Sequence, residues 1–464
     1  MTGFPSRRGR LALVAGLTAA SALAAWLTTP RRVPQAALAP RGAIVLALAG
    51  DLAISDALDA RSLDDASRPL APADRSLAVG NLAVPMRAAL DQPAPGEAHR
   101  QPDGVADGIP ALARLGIGAV SLANDHVMDA GPDGLALLQG RLAAEGIAYA
   151  GAGANLDRAR APVYVTTRDG VVALVGVTVS GSAAARAAAR QGDILGRPGV
   201  NRLRHERRVV VDATRFAALV RAFPPPALSA RADGRTWDLM GLTIERGAEG
   251  GMRLAADPGD LEALAASVRE ARARAAAVVV SLHAHEPGNG ADDVSDLART
   301  VAHAAIEAGA DVVHGHGPHR LRGIEVYQGR PIFYSLGTYL LPERAMTSGA
   351  FDVAQDAAPG ILSSIEPGAP ALDLDDDAWW QSAAAIVRIT RGRVDAVELR
   401  PIDLGMRRAR GTRGIPIDAS ARAAAAILER IHALSARLGT RITVHGETAT
   451  VELDRSGPRT TSAR

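Results

Sequence analysis

The sequence predicts an α/β fold in which chemically useful side chains gather at the C-terminal ends of buried strands. Three observations lead there. Unbroken apolar runs of strand length recur, as at Ile44-Val45-Leu46-Ala47-Leu48 and Val278-Val279-Val280; lacking alternation, they suit strands covered on both faces. Amphipathic helical stretches lie between them, over residues 132–145, 260–274 and 294–309. The runs also end on polar donors: Gly50-Asp51, Asn124-Asp125-His126, His283-Ala284-His285 and His314-Gly315-His316-Gly317-Pro318-His319. Open sheets of this class place ligands just outside the carboxyl ends of their strands.

Taken in order, residues 1–40 stand apart from the fold. Ser6-Arg7-Arg8-Gly9-Arg10-Leu11 resembles a twin-arginine n-region, and a mostly apolar run of 17 residues follows, from Leu11 to Leu27. This reads as an export signal, with Ala22-Leu23-Ala24 as a small-residue cleavage site, or as a retained anchor. Either places the protein in the periplasm or on the outer face of the cytoplasmic membrane. Residues 41–455 are expected to form the folded domain. The first strand covers 43–49 and hands over to Asp51, which is equally suited to a ligand or a turn cap. Residues 52–105 are polar and broken by Pro and Gly, with Gly80-Asn81-Leu82-Ala83-Val84-Pro85 among them. A helix over 110–115 leads to the strand Ala119-Val120-Ser121-Leu122. The helix over 132–145 keeps Leu135, Leu138 and Leu142 on one face. A hairpin is expected over 163–179 around Asp169-Gly170.

Residues 181–256 show little periodicity and read as an insertion. After them come the helix 260–274, the strand 276–282, the helix 294–309 and the His-rich stretch 310–340. Residues 341–378 are loop-like, with an acidic run at Asp373, Asp375, Asp376 and Asp377. Two strands over 384–402, a helix over 419–438 and a hairpin over 441–453 complete the domain, and 456–464 form a polar tail.

Composition excludes several functions. Among 464 residues there is no cysteine, so disulfides, thiolate metal sites and Cys nucleophiles are absent. Every basic residue is arginine. Five of the 52 lie in residues 1–32, leaving 47 against 50 acids in the remainder, a balance of −3. The body of the chain carries no basic field for a nucleic acid.

The strand ends themselves point to metal. Neutral imidazole is a common ligand for borderline divalent ions. His283 and His285, two apart on an extended segment, point to one face because the strand period is two. Asp129, three residues past His126, is placed to fix its tautomer. Asp, Asn and His together are the ligand set of two-metal hydrolases that displace at phosphorus.

These motifs resemble the CapA family, associated with poly-γ-glutamate capsule synthesis and built on the calcineurin-like metallophosphatase fold. The similarity rests on Gly50-Asp51, Asn81-Leu82, SLANDHVMDAG, GIAYAGAG, GRPGVNRL, SLHAHE, GADVVHGHGPHRLRGIEVYQGRPIFYSLG and ILERI…LSARLGT, spread over 43–453. It implies a four-layer αββα sandwich and one or two divalent ions (Mn, Fe, Zn or Mg). Asp51, Asp125, His283 and His316 would be ligands, with Asn124, His285 and His319 as ligands or close neighbours. His126, oriented by Asp129, would be the general acid, and Arg322 and Asn81 would meet substrate. The implied substrate is a phosphoester or an anionic envelope polymer, and the implied partner a capsule synthesis complex at the membrane. Where the family usually has Glu after Asn-Leu, this chain has Ala83; where it has a second Asn before the His, it has Asp125. The family's YSLGNF reads Tyr334-Ser335-Leu336-Gly337-Thr338-Tyr339. The loss of the Glu leaves the number of ions open.

Overall fold

The computed structural model describes residues 42–54, 60–84, 105–248, 250–342, 376–409 and 412–453. Residues 1–40, read as an export signal or anchor, the acidic residues Asp373 and Asp375 and the tail 456–464 lie outside the described residues. Among the described residues, no helix is long and apolar enough to cross a membrane.

Two large sheets organise the chain, one of ten strands and one of six. Six strands position the site. β1 (Ile44–Leu52), β2 (Leu77–Leu82) and β3 (Ile117–Ser121) are parallel neighbours in the larger sheet. β4 (Gly170–Thr178), β5 (Ala277–His283) and β6 (Val312–His316) are parallel neighbours in the smaller one. The long strands Gln381–Thr390 and Arg393–Asp403 extend the larger sheet beyond β1 as an antiparallel pair.

Side-chain alternation divides the apolar residues into layers. Ile44, Leu46 and Leu48 of β1 share a core with Ala277 and Val279 of β5 and Val312 of β6, so the two sheets pack face to face. The opposite face of β1, with Val45, Ala47 and Ala49, packs with Leu135, Leu138 and Leu142 of helix Gly131–Ala144. The opposite faces of β5 and β6 pack with Leu264 and Val268 of helix Pro258–Arg272 and Leu297 and Val301 of helix Asp296–Glu307. The result is a mixed α/β sandwich, as the strand and helix pattern predicts.

Three differences from the sequence reading have physical causes. β1 runs on through Gly50 and Asp51, because Thr338–Leu340 pairs with it there in parallel. β2 falls inside the stretch read as polar and broken; all six of its residues are buried, but a run this short carries little pattern. Residues 205–256 contain a separate five-stranded sheet with helix Ala213–Ala222 on one side. Its small core joins Val211, Leu228, Leu239 and Ile244 to Phe216 and Trp237. Elsewhere Arg208 pairs with Glu206 and Glu245, and Arg231 and Arg253 add to the ladder. Strands that alternate apolar with Arg or Glu leave no continuous apolar run to recognise.

Candidate metal centre

Register brings the donors together. In the larger sheet Asp51 stands beside Asn81, and Asn81 beside Ser121. In the smaller sheet His283 stands beside His316 on one side and Thr178 on the other. The alternation that puts Ala277 and Val279 between the sheets also puts Ser281 and His283 there, at the strand's last turns. His316 follows Val312 and His314 on the same face of β6. His283 and His316 are thus the terminal members of the inter-sheet rows, and Asp51 joins them past the register shift between Leu48 and Asp51.

Two groups of three among the described residues have ligand atoms within 4.8 Å of one another: Asp51 with His283 and His316, and Asp125 with His283 and His285. The first is inner, each member being 0% exposed. Asp51 Oδ1 accepts from Asn81 Nδ2 (2.7 Å), and Oδ2 accepts from the Gly317 backbone N–H (3.2 Å). Gly317, at φ +116°, takes a backbone conformation that suits glycine, and a Cβ there would press on His283 Cε1 at 3.2 Å. His316 Nε2 meets Ser281 Oγ at 2.7 Å, and its Nδ1 meets His283 Nδ1 at 3.1 Å. His319 takes the left-handed φ of +59°, unfavourable for a residue with a Cβ, and holds Nδ1 3.3 Å from Asp51 Oδ2.

The second group is outer, with the Asp125 and His285 side chains 17% and 18% exposed. His283 Nε2 lies 3.0 Å from Asp125 Oδ1 and 2.9 Å from His285 Nε2, and Asp125 Oδ2 lies 3.2 Å from His285 Nε2. Gly181, at φ +88°, passes so close that a Cβ would sit 2.9 Å from that of Asp125. The residues fit a divalent ion: Asp125 Oδ1 is buried without a hydrogen bond, and carboxylate with imidazole is a donor set for Mn, Fe or Zn.

The electrostatics follow from burial and proximity. Burial opposes ionisation of Asp51, but His319, His316 and His283 hold its carboxyl far below the usual range. Asp125 is held well below that range by His126, His285 and His283 against the same penalty. Burial keeps His283 and His316 neutral, as a ligand must be. Burial alone would also depress His285, but Asp125 and Asn289 raise it to about 8. His126 goes further: despite burial, Asp125, Asp129 and the more distant Asp51 lift it to about 9. Its Nδ1 meets Asp129 Oδ2 at 3.0 Å, while Nε2 points to Asp125 Oδ1 at 3.8 Å.

Two of the expected roles are corrected, those of Asn81 and Arg322, and Asn124 takes the second of its two expected places, beside the ligands. Asn124 offers no free oxygen: Oδ1 accepts from the N–H groups of His126 and Val127, and Nδ2 donates to Asn81 Oδ1 and the Leu82 carbonyl. It shapes the turn that carries Asp125 and His126. Asn81 is fully buried and orients Asp51 instead of meeting substrate. Arg322 is 1% exposed, and its guanidinium donates to the carbonyls of His285, Glu286 and Gly288. Burial pushes it down to about 10, so it remains a cation that clamps the loop after β5.

Sequence reasoning missed the residues that hold the ligands. Asn289 Oδ1 lies 2.5 Å from His285 Nδ1. Ser180 Oγ accepts from the His285 backbone N–H and donates to Glu286 Oε2. Asn289 lies four residues from its histidine in a Gly-rich loop, a spacing that carried no recognisable signal; Ser180 comes from another strand end altogether.

Comparison with known proteins shows what the chain is similar to. The chain is 34% identical over 361 residues to the uncharacterized protein y4sH of Sinorhizobium fredii (strain NBRC 101917 / NGR234), covering 74% of this chain and 78% of that protein. It is 31% identical over 234 residues to the probable polyglutamine synthesis accessory protein Rv0574c of Mycobacterium tuberculosis (strain ATCC 25618 / H37Rv), covering 50% of this chain and 47% of that one. Over 86 residues it is 41% identical to the PGA biosynthesis protein CapA of Bacillus subtilis (strain 168), 18% of this chain and 22% of that one. The bacterial capsule synthesis protein family PGA_cap matches residues 45–342, most of the two-sheet domain and every donor described above, and the chain belongs to that family.

Proposed function

We propose that this protein is an exported CapA-like metal-binding protein of poly-γ-glutamate capsule or envelope-polymer metabolism, working as a metal-dependent hydrolase of the phosphatase type. One observation carries the reading: carboxylates and imidazoles from both sheets converge at the strand ends with a protonated His126 beside them. Two sheets sharing a core, with helices against both outer faces, support the four-layer αββα sandwich of metallophosphatases.

A divalent ion held by these donors would polarise a phosphoryl oxygen and activate water. The remaining chemistry belongs to the chain. His126 keeps its Nδ1 on Asp129 and is charged at neutral pH, so Nε2 is the proton donor to a leaving oxygen. Asp129 selects that tautomer. Asn81 and Gly317 hold Asp51, and Asn124 sets the turn that brings His126 alongside Asp125.

A second reading, a non-catalytic factor of a capsule assembly or export complex at the membrane, is favoured by Ala83. This residue is 3% exposed where a family carboxylate is expected. Purified protein assayed with Mn, Fe, Zn and Mg against phosphoesters and poly-γ-glutamate separates the two. The hydrolase reading requires metal-dependent turnover that His126→Ala abolishes while metal content is retained. Metal-loaded protein that binds the polymer without turning over any substrate supports the second reading.

A further inference from the structure

We infer that the centre holds one divalent ion per chain, in the outer group of Asp125, His283 and His285. His316 then orients His283, and Asp51 stays bonded to Asn81 and Gly317 instead of holding a second ion. The inference rests on the metal binding proposed above and adds its stoichiometry and donor atoms.

His283 belongs to both groups, and it reaches them with different nitrogens. Nδ1 faces His316 Nδ1 at 3.1 Å, while Nε2 faces Asp125 Oδ1 at 3.0 Å and His285 Nε2 at 2.9 Å. A neutral imidazole has one lone pair for a metal, the other nitrogen carrying the proton. One ring therefore serves one ion.

Partners decide which nitrogen is free. Asn289 Oδ1 is an acceptor 2.5 Å from His285 Nδ1, so that nitrogen keeps its proton and Nε2 is the one a metal can take. His285 Nε2 faces His283 Nε2 at 2.9 Å and Asp125 Oδ2 at 3.2 Å. Two imidazole nitrogens and a carboxylate thus converge on one point, a donor set that suits a divalent ion.

The inner group is complete without an ion. Both oxygens of Asp51 accept hydrogen bonds, from Asn81 and Gly317. With the His283 proton on Nδ1, that N–H donates to His316 Nδ1, and His316 Nε2–H donates to Ser281 Oγ at 2.7 Å. This is the usual support of a metal-ligating histidine, whose second nitrogen donates to a fixed acceptor. The inner group is also closed, each residue being 0% exposed, whereas Asp125 and His285 reach the surface and leave an open position for water or substrate.

The test is a titration of chelator-treated full-length protein with Co(II), followed by visible absorption and calorimetry. Wild type should saturate at one equivalent. His285→Ala should lose binding by at least about 100-fold, since it removes a ligand, and Asn289→Ala should weaken it about 10-fold, as loss of an orienting partner does. His316→Gln should keep one equivalent with about 10-fold lower affinity and a perturbed absorption band. Saturation at two equivalents overturns the inference, as does binding that survives His285→Ala but not His316→Gln. No Co(II) binding by folded wild type overturns the metal reading itself, a result distinguishable from either.

Discussion

At the start of β6, Asp311 is buried between Arg272, at 2.6 Å, and Arg330, and also accepts the Val278 N–H. Asp260, 4% exposed, is likewise surrounded by Arg160, Arg186 and Arg204 at 2.5–3.1 Å. At the strand ends that carry the donors, Asp51 and Asp125 meet imidazoles and amides and, among the described residues, no guanidinium. The two settings bury the same side chain for different ends. An aspartate matched by guanidinium is charge-complete, and removing it strands a cation. An aspartate among imidazoles has no permanent cation to complete it, and carboxylate with imidazole is a donor set for a divalent ion. Burial of a carboxylate therefore does not mark a site; the nature of its partners does.

The sharpest way to test that contrast is to remove each acid. Asp311→Ala should cost about 4 kcal/mol of stability in urea denaturation, because two partly buried arginines lose their partner. The metal stoichiometry of the folded protein should not change. Metal should act on the other class alone: at 100 times its dissociation constant an ion adds about 2.7 kcal/mol to wild type. The same addition should leave the denaturation midpoint of His283→Ala unmoved.

Asp260→Asn should cost about 2 kcal/mol, the scale of hydrogen bonds to a charged group. Its pH dependence has a definite sign. Although burial opposes ionisation, Arg204 and Arg186 hold its carboxyl at about 2 in the folded chain, below the ordinary 3.8. The stabilisation is therefore full above about pH 4 and is lost as pH falls toward 2. Acid titration of wild type and Asp260→Asn should show curves that converge over that interval.

The smallest effect is expected from Asp129→Asn, which changes one of the carboxylates around His126. The folded value of His126, about 9, exceeds the ordinary 6.5, so its contribution to stability is full below 6.5 and disappears as pH rises through 9. Asp129→Asn removes one of the carboxylates that raise it. NMR titration of the His126 ring in that variant should show a midpoint moved to lower pH, and the alkaline limb of any hydrolytic activity should move with it.

Much of this was readable beforehand, for local reasons. The β1 and β5 runs announced themselves by unbroken apolar sequence, and the donors by their place at the ends of such runs. His283 and His285 were assignable to one face from strand parity alone. β2 was not readable, because Leu77–Leu82 is short and includes Gly80 and Asn81. The 205–256 sheet was not readable because its strands carry Arg and Glu on one side. Arg322 was expected to meet an anionic substrate; only the fold shows backbone carbonyls accepting from its two terminal nitrogens.

Sequence by itself determined the class of fold, the donor types and their positions at strand ends, since apolar run length and side-chain parity are local properties. Tertiary structure decided which donors come together. Asp51 and His319 lie 3.3 Å apart although 268 positions separate them, and the two nitrogens of His283 are assigned by partners on different segments. Those assignments follow from the register between strands and the packing of one sheet on the other. Both are set by the burial of whole strands, which no short stretch of sequence can express.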